Sequence, residues 1–239
     1  MTVRIVLPAG TGDDLSWKKE EAEGKRIIWE MDWKREFSYT DSAFFSSQAL
    51  ALKECGRLFL EQTEGVILYR GKAYPEIEDF DKYQQWLEGK NDTPFYRNLY
   101  STEVLYEYLH RLGSFLPDTF SIIACLDASN TGSPAEQAYL FSLERAGHLK
   151  LDITGASIPT QRQEISRGVC LPPIDGVCIE TLDLFFLSLE GDYRIIPESV
   201  MNEHWDGLEE LVVLEKFLTV RGKRMVQGFI AAGGEVVTR

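Results

Sequence analysis

The stretch 120–126, Phe-Ser-Ile-Ile-Ala-Cys-Leu, constrains this chain more than any other. A strand with one face in water alternates polar and apolar residues. A continuous apolar run of strand length belongs instead to a strand covered on both faces, as in a parallel sheet. Comparable β-type runs occur at 3–7, 26–33, 65–69, 149–153, 168–171, 193–196, 211–214 and 235–238. Helical patterns separate most of them. Asp41 is placed to cap a helix with Phe45, Ala49, Leu52, Cys55 and Phe59 on one face. Charged residues at 16–23 and apolar spacings near 77–88, 102–112 and 177–189 read the same way. Ser133-Pro134-Ala135-Glu136 is a capping box with proline at the first helical position. Thr219 opens a last helix running to about 232, and Gly233-Gly234 ends it.

Alternating strands and helices, without tight hairpin signals, predict an α/β fold with a mainly parallel sheet. About nine β-runs in 239 residues suit a (β/α)8-like, TIM-type barrel. The alternative is an open doubly wound sheet. The expectation is a single α/β domain over 1–239, and the 155–175 loop is the place for a weak boundary.

The formal net charge of −13 repels phosphate backbones and anionic lipid headgroups, so no nucleic-acid or membrane-surface role is expected. No apolar stretch approaches the roughly 20 residues of a membrane span. The N-terminal apolar run is too short for a signal peptide and lacks a small-residue cleavage site. Cys55, Cys125, Cys170 and Cys178 form no CxxC pair, and three lie in apolar runs. They read as buried free thiols in a reducing compartment, which makes the expected location cytoplasmic. His110, His148 and His204 are isolated, so no metal and no cofactor are expected.

Two stretches carry a likeness. Tyr193-Arg-Ile-Ile-Pro197, Trp205-Asp-Gly-Leu-Glu-Glu-Leu-Val-Val-Leu214 and Phe229-Ile-Ala-Ala-Gly-Gly-Glu-Val-Val237 together resemble part of the glutamine-amidotransferase-like fold. The version they look most like follows the catalytic barrel of some β-galactosidases. The amidotransferase nucleophile is a Cys on a Gly-x-Cys-x-Gly elbow. No Cys here has that setting, so the activity is not carried over. Residues 26–154 resemble half of a glycosidase-type barrel, with Trp29-Glu30-Met31-Asp32-Trp33, Leu68-Tyr69-Arg70-Gly71 and Leu126-Asp127-Ala128-Ser129 at successive strand ends. The Asn-Glu signature that many such barrels carry after the fourth strand is missing; Leu126-Asp127-Ala128 stands there. The whole chain is similar in texture to uncharacterised proteins of chlamydia-type bacteria, which implies no activity.

Ligands of parallel α/β folds sit beyond the carboxyl ends of the strands. The predicted ends bring Glu30, Asp32 and Trp33 from the second strand, and Tyr69 and Arg70 from the third. The fourth brings Asp127, Ser129 and Asn130, the fifth Asp152, and the seventh Glu198. Glycosidases use one carboxyl as acid and a second as nucleophile or base, and Glu30 with Asp127 is the candidate catalytic pair. Asp32, Trp33, Tyr69, Arg70, Ser129, Asn130, Asp152 and Glu198 are the candidate substrate contacts. A chain with 38 acidic residues also puts carboxylates at strand ends as plain turn residues. The loops 9–14 and 127–133 contain glycine but no GxGxxG and no Walker lysine, so they read as connectors. Ser129 has no Gly-x-Ser-x-Gly elbow.

The resulting expectation is a glycoside-hydrolase-like, carbohydrate-binding protein, its activity retained or lost. The alternative is a non-enzymatic protein-interaction role on the same α/β scaffold, with a protein as partner.

Overall fold

The computed structural model describes residues 2–7, 23–31, 38–129, 132–143, 149–158, 165–175 and 177–239. Contacts divide the chain into two compact units: Met1–Thr131 with Glu144–Gly155, and Gly132–Leu143 with Ala156–Arg239. The third division point, after Gly155, falls in the 155–175 loop.

The first unit holds β1 (Thr2–Leu7), β2 (Arg26–Met31), β3 (Thr63–Lys72), β4 (Ser121–Asp127) and β5 (Leu149–Thr154). They pair in parallel in the order β1-β2-β3-β4-β5. Such consecutive order arises when every right-handed crossover returns over the same face. Three helices are described here: α1 (Ser42–Leu58), α2 (Phe80–Leu87) and α3 (Pro94–Gly113). The buried face carries Ile5, Leu7, Ile27, Trp29, Val66, Ile122, Ala124 and Leu149. Alternation then turns Arg4, Val6, Glu30, Arg70, Asp152 and their neighbours to the other face. Trp29 is fully buried: its indole N–H donates to Thr63 Oγ1 at 2.9 Å and its ring lies 5.0 Å from Phe59.

Asp41 caps α1 as predicted, its carboxylate accepting from the Phe44 N–H at 3.0 Å. Phe44 and Gln48 are buried in place of the expected Phe45, which packs edge-on against Tyr108 and Phe115. α3 begins eight residues before the expected start at 102. Thr93 caps it and Pro94 occupies its first turn, the same signature as Ser133-Pro134.

The second unit holds α4 (Pro134–Leu143), β6 (Arg167–Leu171), α5 (Ile179–Leu187), β7 (Arg194–Pro197), α6 (Met201–His204), β8 (Glu210–Val213), α7 (Val220–Ala231) and β9 (Glu235–Thr238). The capping box is formed: Ser133 N–H donates to Glu136 Oε2 at 2.8 Å, and Glu136 N–H to Ser133 Oγ at 3.4 Å. The four strands are parallel in the order β7-β6-β8-β9. This order reverses once, between β6 and β8, which is doubly wound topology. The α/β class with parallel sheets expected from the sequence is present in both units. Neither strand order returns to its first strand, so no closed barrel is formed among the described strands.

Among the described residues no helix is long and apolar enough to cross a membrane. Cys55, Cys125 and Cys170 are buried free thiols, whereas Cys178 is exposed.

Candidate functional site

The face of the first sheet opposite its buried residues gathers charge from four strands. Glu30, on β2, lies between two arginines. Its Oε1 accepts from Arg70 Nε at 2.7 Å, and Arg4 Nε stands 3.3 Å from its Oε2. The Glu30 side chain is 15% exposed, against 56% for Arg4 and 48% for Arg70. Arg70, Cys125 and Asp152 stand side by side in register on β3, β4 and β5. The hydrogen bond Arg70 donates to Glu30, with the nearby carboxylates, raises the Arg70 pKa. Burial raises the Cys125 thiol, and Asp152 adds to that by charge and hydrogen bond. Signs alternate across the face from Arg4 to Glu30, Arg70 and Asp152. Arg4 was not singled out in the sequence. Its signal was the polar alternation of β1, where Ile5 and Leu7 take the buried face.

Asp127 is exposed at the end of β4. Its Oδ1 accepts from the Ser129 N–H at 2.8 Å, closing a local Asx turn, and bonding to Ser129 lowers its pKa. Ala128 N–H donates to Thr154 O, and a Cβ on Gly155 would stand 2.0 Å from Ser129 Oγ. Gly155 also has φ +73°, so this junction requires glycine on both counts.

Glu30 and Asp127 are not brought together. Glu30 aligns with Ile67, and Ile67 with Ile123, four residues before Asp127. Two strand spacings and four residues of rise separate their backbones by roughly 16 Å. Glycosidase carboxyl pairs lie about 5–9.5 Å apart.

The other predicted contacts divide. Arg70, Asp152 and Ser129 are exposed on or beside the charged face. Tyr69 is buried: its hydroxyl donates to Lys72 O at 3.1 Å and burial pushes its pKa up to about 12. Glu198 is 4% exposed and belongs to the second unit. Its Oε2 accepts from the Thr219 N–H at 3.1 Å and its Oε1 bonds the Thr219 hydroxyl, so it anchors the start of α7. Asp32, Trp33 and Asn130 lie outside the described residues, as do His148, the 9–14 loop and residues 16–22 of the first expected helix. Among the described residues no group of three or more His, Cys, Asp or Glu is placed to hold a metal ion. The chain matches no protein-family model and has no significant match among curated proteins.

Proposed function

We propose that the chain is a glycoside-hydrolase-like, carbohydrate-binding protein in which Glu30 and Asp127 do not perform hydrolysis. The observation that carries the reading is the consecutive order of five parallel strands, the winding of a barrel wall, with Arg4, Glu30, Arg70 and Asp152 on the face a barrel would enclose. The doubly wound second unit supports the likeness to the amidotransferase-like domain that follows such barrels. Planar carboxylates and guanidinium groups suit pairs of sugar hydroxyls. Hydrolysis needs one protonated carboxyl beside a second carboxylate. The Asx turn that Asp127 closes with Ser129, and the roughly 16 Å between the two backbones, support a reading without hydrolysis.

The test is turnover of chromogenic glycosides together with calorimetric titration of neutral oligosaccharides. The expected result is binding without turnover, weakened by Arg70→Met. Turnover abolished by both Glu30→Gln and Asp127→Asn refutes the loss of hydrolysis. Failure of every oligosaccharide to bind refutes the carbohydrate reading. A protein-docking role has one observation in its favour: Leu184 and Leu187 share a face of α5 and are 69% and 70% exposed.

A further inference from the structure

A groove of about 430 Å³ opens on the helical side of the first unit, between α2 and α3. This volume lies in the range of small-molecule sites. Tyr39 and Trp86 are half-buried in its wall, with Tyr100 and Tyr108 buried behind them. Glu103, Glu107 and Arg111 recur every four residues on α3 and form one polar stripe. Eight residues of rise make the stripe about 12 Å long. Lys82 and Gln85 face it from α2.

The walls are held from behind. Tyr39 Oη accepts the Glu78 N–H at 2.5 Å and the Asp79 N–H at 3.3 Å. The segment carrying Tyr39 is itself tied down, because Glu78 Oε2 accepts from Ser38 Oγ at 2.9 Å and from Thr40 Oγ1 at 2.7 Å. The Trp86 indole N–H donates to Glu103 Oε2 at 3.0 Å, and the Tyr108 hydroxyl donates to Gln48 Oε1 at 2.8 Å. Tyr83 stacks beside Trp86 at 6.3 Å, and Tyr100 meets it edge-on at 5.5 Å. Ordering such walls before a ligand arrives lowers the entropic cost of binding.

The charges identify the ligand class. Three cations, Lys82, Lys90 and Arg111, stand among three anions, Asp79, Glu103 and Glu107: Lys82 Nζ lies 3.1 Å from Asp79 Oδ2 and Lys90 Nζ 5.4 Å from the Trp86 ring centroid, so the charges about the groove balance. A phosphate ligand needs an excess of donors and cations, and a quaternary ammonium needs an aromatic cage with net negative charge. Aromatic faces beside planar amide, carboxylate and guanidinium groups suit a neutral ligand with apolar C–H faces and a rim of hydroxyls. We propose that this groove binds a neutral oligosaccharide along the Glu103–Arg111 stripe, beside Tyr39 and the edge of Trp86, whose ring also carries Lys90 at 5.4 Å. The site is separate from the charged sheet face and stands on the groove alone.

Calorimetry and saturation-transfer NMR of the full chain with maltotriose, cellotriose, xylotriose and chitotriose test it. At least one trisaccharide binds, and Glu107→Ala, an exposed change that leaves the packing intact, weakens it about tenfold, the worth of one charge-assisted hydrogen bond. Trp86→Ala weakens it further, while Arg224→Ala, an exposed change in the second unit, leaves this binding unchanged. Unaltered affinity in Glu107→Ala, or loss only in Arg70→Met, overturns the groove and leaves the sheet face as the sugar site. Absence of binding by all four sugars overturns it as well. Stronger binding of choline or inorganic phosphate, lost in Glu107→Ala or Arg111→Ala, overturns the assignment of a neutral ligand.

Discussion

Replacing Gly222 by alanine probes the buried anchor of α7. Gly222 occupies the first turn of that helix, and its N–H donates to the capping Thr219 Oγ1 at 3.0 Å. A Cβ there would stand 2.3 Å from Glu198 Cδ and 2.4 and 2.7 Å from its two oxygens. The carboxylate is 4% exposed and has to move, losing its bonds to the Thr219 N–H and hydroxyl. Hydrogen bonds to a charged group contribute about 1.5–3 kcal/mol each, and alanine returns at most about 1 kcal/mol of helix propensity. The net expectation is a loss of about 2–5 kcal/mol. Trp205, 5.8 Å from Phe229 of α7, is the sole tryptophan of the second unit. With 5-fluorotryptophan incorporated, its fluorine resonance reports this unit alone during a urea titration. At an m-value of about 2 kcal/mol/M the midpoint falls by about 1–2.5 M. Combining Glu198→Ala with Gly222→Ala should cost little more than Glu198→Ala alone, since the clash then has no partner. An unchanged midpoint in Gly222→Ala, or additive losses in the double variant, refutes the reasoning.

Two further outcomes are expected. Hydrogen bonds from Arg97 and then Tyr83 lower Asp92 from 3.8 to about 2. The folded pKa lies below the unfolded one, so this contribution is present above pH 3.8 and is lost as the pH falls towards 2; an acid titration of Asp92→Asn should lack that component, and identical acid profiles would contradict it. Native protein treated with iodoacetamide should be labelled at Cys178 alone, because burial pushes Cys55 and Cys170 to about 12 and raises Cys125. Peptide mass spectrometry showing native labelling of Cys55 or Cys170 would count against the packing described.

Much of the fold was legible because its signals are local. The capping box at Ser133, the Asp41 and Thr219 caps and the paired glycines each act within a few residues, and all appear where expected. Strand order is not local. A buried apolar strand reads the same in a barrel wall and in a doubly wound sheet, so the change of winding between units had no sequence signal. The start of α3 was missed for a different reason. Thr93-Pro94 is as clear a start as Ser133-Pro134, but the apolar spacing that drew attention begins at Val104.

The strand-end rule names where ligands sit in parallel folds without telling which side chains remain available to them. Here three of the acids at those ends are engaged within the fold: Glu30 by Arg4 and Arg70, Asp127 by the Ser129 N–H, and Glu198 by Thr219. A carboxylate that knits a strand end and a carboxylate that meets a substrate occupy the same positions in a sequence, and only its partners separate them. The groove between α2 and α3 shows the converse. Its polar stripe reads in sequence as a solvated helix face, and its aromatics read as core. They acquire another meaning once Gln85 and Trp86 on one helix stand across from Glu103 and Glu107 on the next. The two candidate sites therefore differ in kind. At the strand ends the acids already have partners, so a ligand there must compete with them; in the groove the walls are fixed from behind, which leaves Gln85 and Glu107 to meet a ligand.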